Sequence, residues 1–344
     1  MTFPVFDGHN DTLLRLEQHP EASFFQRGEG HLDLVKAREG GLAGGFFAVF
    51  VPTPGDKLDV VLRDGGYGAP LPAPLEPGYA KREADKLVRG LKRLVRDSQG
   101  EVALITDASG LERALENGTF AAVLHFEGAE PLGEDPEALG GYYQQGLRSL
   151  GLVWSRPNAF AHGVPFQFPG SPDTGPGLSD KGKALVKLCN QLGVMIDLSH
   201  LNAKGFWEVA ELSEAPLVAT HSNAHALCPS TRNLTDEQLA AIKDSDGMVG
   251  LNFAVSFLRE DGGRDPDTPL KVMIAHLDYL IDKLGETRVG LGSDFDGAML
   301  PYGIRDASGL PHLFEALKRY GYDDATLERL AYRNWLDLLK RTWR

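Results

Sequence analysis

The chain has 344 residues, 42% of them hydrophobic, with a formal net charge of −13 and two cysteines, Cys189 and Cys228. This is enough to bury a large core, and the acidic balance argues against a nucleic-acid partner. Two isolated thiols form no disulfide framework, no run approaches the roughly 18 apolar residues of a membrane span, and the N-terminus lacks a signal-like segment, so a cytoplasmic protein without membrane attachment is expected.

The first apolar run, "PVFDG" (4–8), leads straight into His9 and Asp11. Asp, Gly and Asn favour a turn here, with the strand ending sharply at Asp7 and Gly8, while the His-x-Asp spacing also suits one metal ion. The second run, "GGFFAVFV" (44–51), precedes a Pro- and Gly-rich stretch, 52–78, read as an irregular insertion. Apolar spacing predicts a helix over 79–97, and "SGLE" (109–112) fits a capping box. No basic run or basic amphipathic helix is expected. The third run, "FAAVLHF" (120–126), ends at Glu127, and the fourth, "SLGLVW" (149–154), opens into a long loop over 156–178.

Helical spacing over 180–192 leads to "VMIDLS" (194–199) and His200. A helix over 202–213 leads to "PLVATH" (216–221), which ends at His221. "TDEQ" (235–238) is a second capping-box pattern. The seventh run is "GMVGLNF" (247–253), followed by a helix over 269–284 and the eighth run, "VGLGSDF" (289–295), which holds Asp294.

Apolar runs without strict alternation suit parallel strands buried on both faces. Eight of them alternating with helices predict a (β/α)8 TIM barrel, as one domain over 1–344 with long loops after strands two and four. An open doubly wound sheet fits the alternation too. The polar residues favour the barrel, because His9, Asp11, Glu127, His200, His221 and Asp294 all fall at strand C-terminal ends, which converge on one face. His19, His31, His276 and His312 read as structural. So does His125, expected to point outside the barrel if Glu127 turns inward.

Imidazole and carboxylate are ligands that Zn²⁺ accepts in catalytic sites, and no Cys lies among them. Five ligands exceed what one catalytic zinc needs but suit two metals sharing a carboxylate. Mn²⁺ or Co²⁺ would accept the same set.

In this order, "DGHND", "HFEGAE", "DLSH", "THSNA", "TRNLTD" and "GSDFDG" resemble the membrane dipeptidase (renal dipeptidase) family, peptidase family M19, of the metal-dependent amidohydrolase superfamily. The resemblance runs from residue 5 to about 334. It implies a dipeptidase with two Zn²⁺ per chain, active on dipeptides including those with a C-terminal D-residue. His9 and Asp11 would bind one zinc, His200 and His221 the other, and Glu127 both, together with a bridging hydroxide. Asp294 would be the general acid/base, preferred over Asp296 because it directly follows the apolar strand. Arg232 would bind the substrate carboxylate, a task suited to a planar bidentate donor. Several members of the family are dimers, so a homodimer is compatible with the resemblance.

One position departs from the pattern. Where vertebrate members carry a His after strand four that polarises the scissile carbonyl, this chain has Trp154, whose indole donates one neutral hydrogen bond. The metals or Asn158 are expected to compensate at the substrate, and the Phe-rich loop 160–169 to cover the pocket and favour apolar side chains. His162 reads as a solvent-facing loop residue. Two alternatives stand beside the dipeptidase: a metal-dependent hydrolase of another small amide, lactam or N-acyl amino acid, and a non-catalytic ligand-binding barrel.

Overall fold

The computed structural model describes residues 3–55 and 59–343, so residues 56–58 of the first insertion lie outside it. In chain order the strands are β1 (Val5–Asn10), β2 (Leu42–Phe50), β3 (Val61–Arg63), β4 (Gly66–Gly68), β5 (Val102–Leu104) and β6 (Phe120–Glu127). They continue as β7 (Leu147–Gly151), β8 (Gln167–Phe168), β9 (Met195–Asp197), β10 (Val218–Ala219), β11 (Met248–Leu251) and β12 (Val289–Leu291).

Eight of them form a closed parallel barrel in the order β1-β2-β6-β7-β9-β10-β11-β12, with β1 paired back to β12 and β2 to β6. These are the eight apolar runs of the sequence, and the fold is the expected (β/α)8 barrel rather than an open sheet. A short extra strand, β5, lies beside the start of β6. The first insertion is less irregular than expected, since β3 and β4 form a hairpin that pairs with β8 of the second long loop.

The barrel interior is divided along its axis. Its lower half is apolar: Phe6, Phe46, Val123, Met195, Val218 and Met248 pack on Trp335, which the C-terminal helix Asn334–Thr342 inserts from below. Trp335 is fully buried, and its indole N–H donates to the Leu291 carbonyl at 3.0 Å. The upper half is polar and holds the strand-end His and carboxylates. Most remaining apolar burial lies between barrel and helices.

The helices over Pro77–Asp97, Asp180–Leu192, Ala203–Leu212 and Leu270–Leu284 match the predicted segments. Thr235 and Gln238 form the predicted capping box. "SGLE" does not: Asp107 is the N-cap and accepts from Gly110 N, which places Ser109 inside the first turn. The helix Pro77–Asp97 exposes seven Lys and Arg residues between Lys81 and Arg96, so a basic amphipathic helix is present after all. Three of those cations pair with Glu83, Asp85 and Asp97 on the same helix. No described helix is long and apolar enough to cross a membrane. Cys189 and Cys228 are both free and buried.

Candidate metal centre

Strand β1 does not turn at Gly8 but runs on to Asn10, with a register irregularity against β2 between Asp7 and Asn10. Asp7 is buried and accepts from the Ser293 backbone and hydroxyl, which ties β1 to β12. His9 is thereby aimed into the upper barrel. Asp11 occupies the N-cap of the helix Thr12–Gln18 but makes no capping hydrogen bond. An N-cap carboxylate ordinarily accepts from that first turn, so Asp11 is left available to the site.

Glu127 stands at the centre. Its Oε1 lies 3.0 Å from His200 Nε2 and 3.6 Å from His221 Nε2, and its Oε2 lies 3.8 Å from His9 Nε2. His9 Nε2 is 3.6 Å from Asp11 Oδ2. Among the described residues three compact donor sets result, Glu127–His200–His221, His9–Asp11–Asp294 and His9–Asp197–His221, each with ligand atoms within 4.8 Å of one another. In the third, Asp197 is already engaged by Ser199 N, Thr220 N and the Thr220 hydroxyl.

These donors fit divalent metal. Two nitrogens held about 2.0–2.1 Å from one tetrahedral zinc stand about 3.3 Å apart, and His200 Nε2 is 3.2 Å from His221 Nε2. Both nitrogens of His9, and Asp11 Oδ1, are buried without a hydrogen-bond partner. A Cβ on Gly297 would displace Asp11 Oδ2 and Asp294 Oδ1, so the glycine there leaves both carboxylates where they are.

The electrostatics agree with a cation site. Burial, with help from Arg232 and His9, holds His200 and His221 far below the usual imidazole range, leaving them neutral and able to ligate. Burial also opposes charge on His9, but Glu127, Asp11 and Asp294 outweigh it and lift its pKa to about 10. Burial raises Glu127 and Asp294; His9 counteracts this in both cases, and Asp11 adds to it.

Asp294 and Asp296 are distinguished by their partners. Asp294 Oδ2 accepts from Asn252 Nδ2 at 2.9 Å, with Oδ1 directed beside Asp11. Asp296 accepts from the Thr12 hydroxyl, Arg15 Nε and His31 N, at 2.9, 2.9 and 2.5 Å. It therefore braces the loop.

Arg232 is buried, with Nη2 donating to the His221 carbonyl at 3.1 Å and Nη1 near Ser222 Oγ at 3.4 Å. Its Nε has no partner. It lines a small cavity, about 10 Å³, that shares His200 with the main pocket. The main pocket is about 610 Å³, with Trp154, Phe50, Phe166 and Phe257 among its apolar walls and Glu127, His200 and Asp294 at its base. Trp154 sits 5.0 Å from the Phe50 ring and 5.4 Å from the Phe166 ring.

Three placements differ from expectation. Asn158 is not brought to the pocket: its Nδ2 donates to the Leu152 carbonyl and its Oδ1 accepts from Phe160 N and Ala161 N, so it braces the loop. His125 points into the barrel, not out of it, because residues two apart on a strand share a face. It is fully buried, with Nδ1 2.8 Å from Ser149 Oγ and its ring 5.4 Å from His9. Of the loop phenylalanines only Phe166 lines the pocket; Phe160 belongs to the core. His162 is half-buried, and its carbonyl accepts from Asn202 N.

Sequence reasoning missed the residues that orient the candidate site's side chains. Ser155 Oγ is 2.8 Å from His200 Nδ1, Thr220 Oγ1 is 2.8 Å from His221 Nδ1, and Asn252 holds Asp294. Thr220 directly precedes a proposed ligand, and a small hydroxyl residue there was the available signal.

Comparison with known proteins agrees with this geometry. The membrane dipeptidase (peptidase family M19) sequence family matches residues 1–343. A crystal structure of a metallo peptidase from Rhodobacter sphaeroides, liganded with a phosphinate mimic of L-Ala-D-Ala, is 49% identical, with each chain fully covered and a TM-score of 0.94. The dipeptidase AC, a metallo peptidase of family M19, is 50% identical over 100% of this chain and 99% of that one, with a TM-score of 0.95. An uncharacterized protein in the pqqA 5' region of Klebsiella pneumoniae is 51% identical over 253 residues, 74% of this chain and 93% of its own length. The chain therefore belongs to the membrane dipeptidase family, peptidase family M19.

Proposed function

We propose that this chain is a dinuclear metallo-dipeptidase, with Zn²⁺ as the ion its His and carboxylate donors suit best. The observation that carries the reading is Glu127, one of whose oxygens faces His200 and His221 while the other faces His9. His9 and Asp11 would hold one ion, His200 and His221 the second, and Glu127 both. Ions so held supply Lewis acidity and make water nucleophilic near neutral pH.

The remaining work falls to the chain's own groups. Asp294, raised by burial and anchored through Oδ2, takes the proton of the attacking water at Oδ1 and returns it to the leaving amine. Arg232 places a fixed positive charge behind His200, and its unpartnered Nε supports a role in binding the substrate's terminal carboxylate. Trp154 and Phe166 form an apolar wall for a substrate side chain, so Trp154 acts by shape rather than as an oxyanion donor. The bound L-Ala-D-Ala mimic in the Rhodobacter sphaeroides relative supports acceptance of a C-terminal D-residue. A small amide or lactam without a free carboxylate would offer Arg232 nothing to bind.

Hydrolysis assays on L,L- and L,D-dipeptides, with and without chelator, test the reading. Metal-dependent release of both amino acids is expected. Turnover unaffected by complete metal removal, or none on any dipeptide, would contradict it.

A further inference from the structure

The Thr220 hydroxyl sits between two groups beneath the metal centre. Its Oγ1 is 2.6 Å from Asp197 Oδ2 and 2.8 Å from His221 Nδ1. Asp197 is 1% exposed, and its Oδ1 accepts from Ser199 N at 3.0 Å and Thr220 N at 2.8 Å. Direct contact between Asp197 and His221 is too long for a hydrogen bond, at 3.9 Å. Thr220 is therefore the link between them.

A hydroxyl has one proton to donate and lone pairs with which to accept. Donation to the carboxylate leaves Thr220 able only to accept from His221, so the imidazole carries its proton on Nδ1. Its Nε2 then presents a lone pair toward His200 and Glu127.

We propose that Thr220, oriented by Asp197, fixes the Nδ1–H tautomer of His221 and so prepares Nε2 to bind metal. The proposal rests on the metal-centre reading above and makes Thr220 a positioning residue, not a catalytic one. The other histidines differ. Ser155, beside His200 Nδ1, makes no bond to a carboxylate among the described residues, and His9 Nδ1 has no partner at all.

The test uses metal-free, ¹⁵N-histidine-labelled full-length protein, with the His221 signal assigned by its loss in an H221Q variant. Long-range ¹H–¹⁵N correlation is expected to show the Nδ1–H tautomer in the wild type and in T220S, and its loss in T220V. Chelator competition with Zn²⁺ is expected to show about 10- to 100-fold weaker binding at one site in T220V, with T220S restored to within about threefold of the wild type. An Nε2–H tautomer in the wild type, or a T220V protein with unchanged tautomer and unchanged Zn²⁺ affinity, would overturn the proposal. If T220V does not fold, the wild-type spectrum still decides. Failure of the metal-centre reading is distinguishable, because the wild type would then take up no Zn²⁺ whatever the tautomer of His221.

Discussion

Asp294 and Asp296 both adopt left-handed backbone conformations, with φ of 60° and 66°, yet deliver their carboxylates to different tasks. Asp tolerates this region better than most side chains, and the paired twist sends Asp294 to the metal centre and Asp296 to Arg15 and Thr12. Asp294→Asn is expected to keep its metal and lose about 10²- to 10⁴-fold in kcat. Asp296→Asn is expected instead to cost about 1–3 kcal/mol of stability through its lost loop contacts. Metal content, steady-state kinetics and thermal unfolding of the two variants check this; full turnover in a metal-loaded Asp294→Asn protein would remove Asp294 from its role.

Arg232 offers a charge that only a substrate with a free carboxylate needs. Arg232→Met is expected to lower kcat/KM for free dipeptides by about 30-fold or more, in line with truncation of one partner of a buried charge pair. Dipeptide amides should lose far less. Equal losses on both substrates would assign Arg232 to bracing the His221 backbone.

The apolar wall predicts side-chain preference. Phe166→Ala is expected to reduce kcat/KM about 10-fold for dipeptides with a large apolar side chain, the scale of a lost hydrophobic contact. Small and polar dipeptides should change about twofold or less on the same scale. A uniform loss across a dipeptide panel would mean the loop shapes the site as a whole rather than selecting substrates.

His276, whose two partners are backbone groups, is expected to govern a pH effect on stability. It is buried, with Nδ1 accepting from Ala224 N and Nε2 donating to the Leu258 carbonyl, both satisfied only by the neutral ring. Burial, partly offset by the Leu258 bond, lowers its pKa from 6.5 to about 4. The folded state thus resists a proton that the unfolded chain accepts. Its contribution is present in full above about pH 6.5 and is lost as pH falls toward 4, by about 3 kcal/mol. Denaturant titrations across this range should show a shallower pH dependence for His276→Gln than for the wild type. Identical slopes would contradict the assignment.

Much of the fold was legible because a parallel barrel buries its strands on both faces, so each strand reads as an unbroken apolar run. The strand-end chemistry was legible for the same reason, since polar residues there stand out against such runs. The β3–β4–β8 sheet was not, because Gly66–Gly68 and Gln167–Phe168 carry no alternating pattern. The reach of β1 to Asn10 was hidden by turn-forming residues that tertiary pairing overrides. Asn158 was misplaced because its partners are backbone groups of its own loop. Asp197, Ser155 and Thr220 were passed over because their importance depends on what lies across the barrel.

Glu127 is proposed to join two metal sites in one centre. Metal content per chain, measured on protein reconstituted with Zn²⁺ and dialysed, tests it most directly when the wild type is compared with Glu127→Ala. About two ions per chain are expected in the wild type, in keeping with a two-metal site, with loss from both sites together in the variant. One ion or none in the wild type, or two retained in Glu127→Ala, would contradict it.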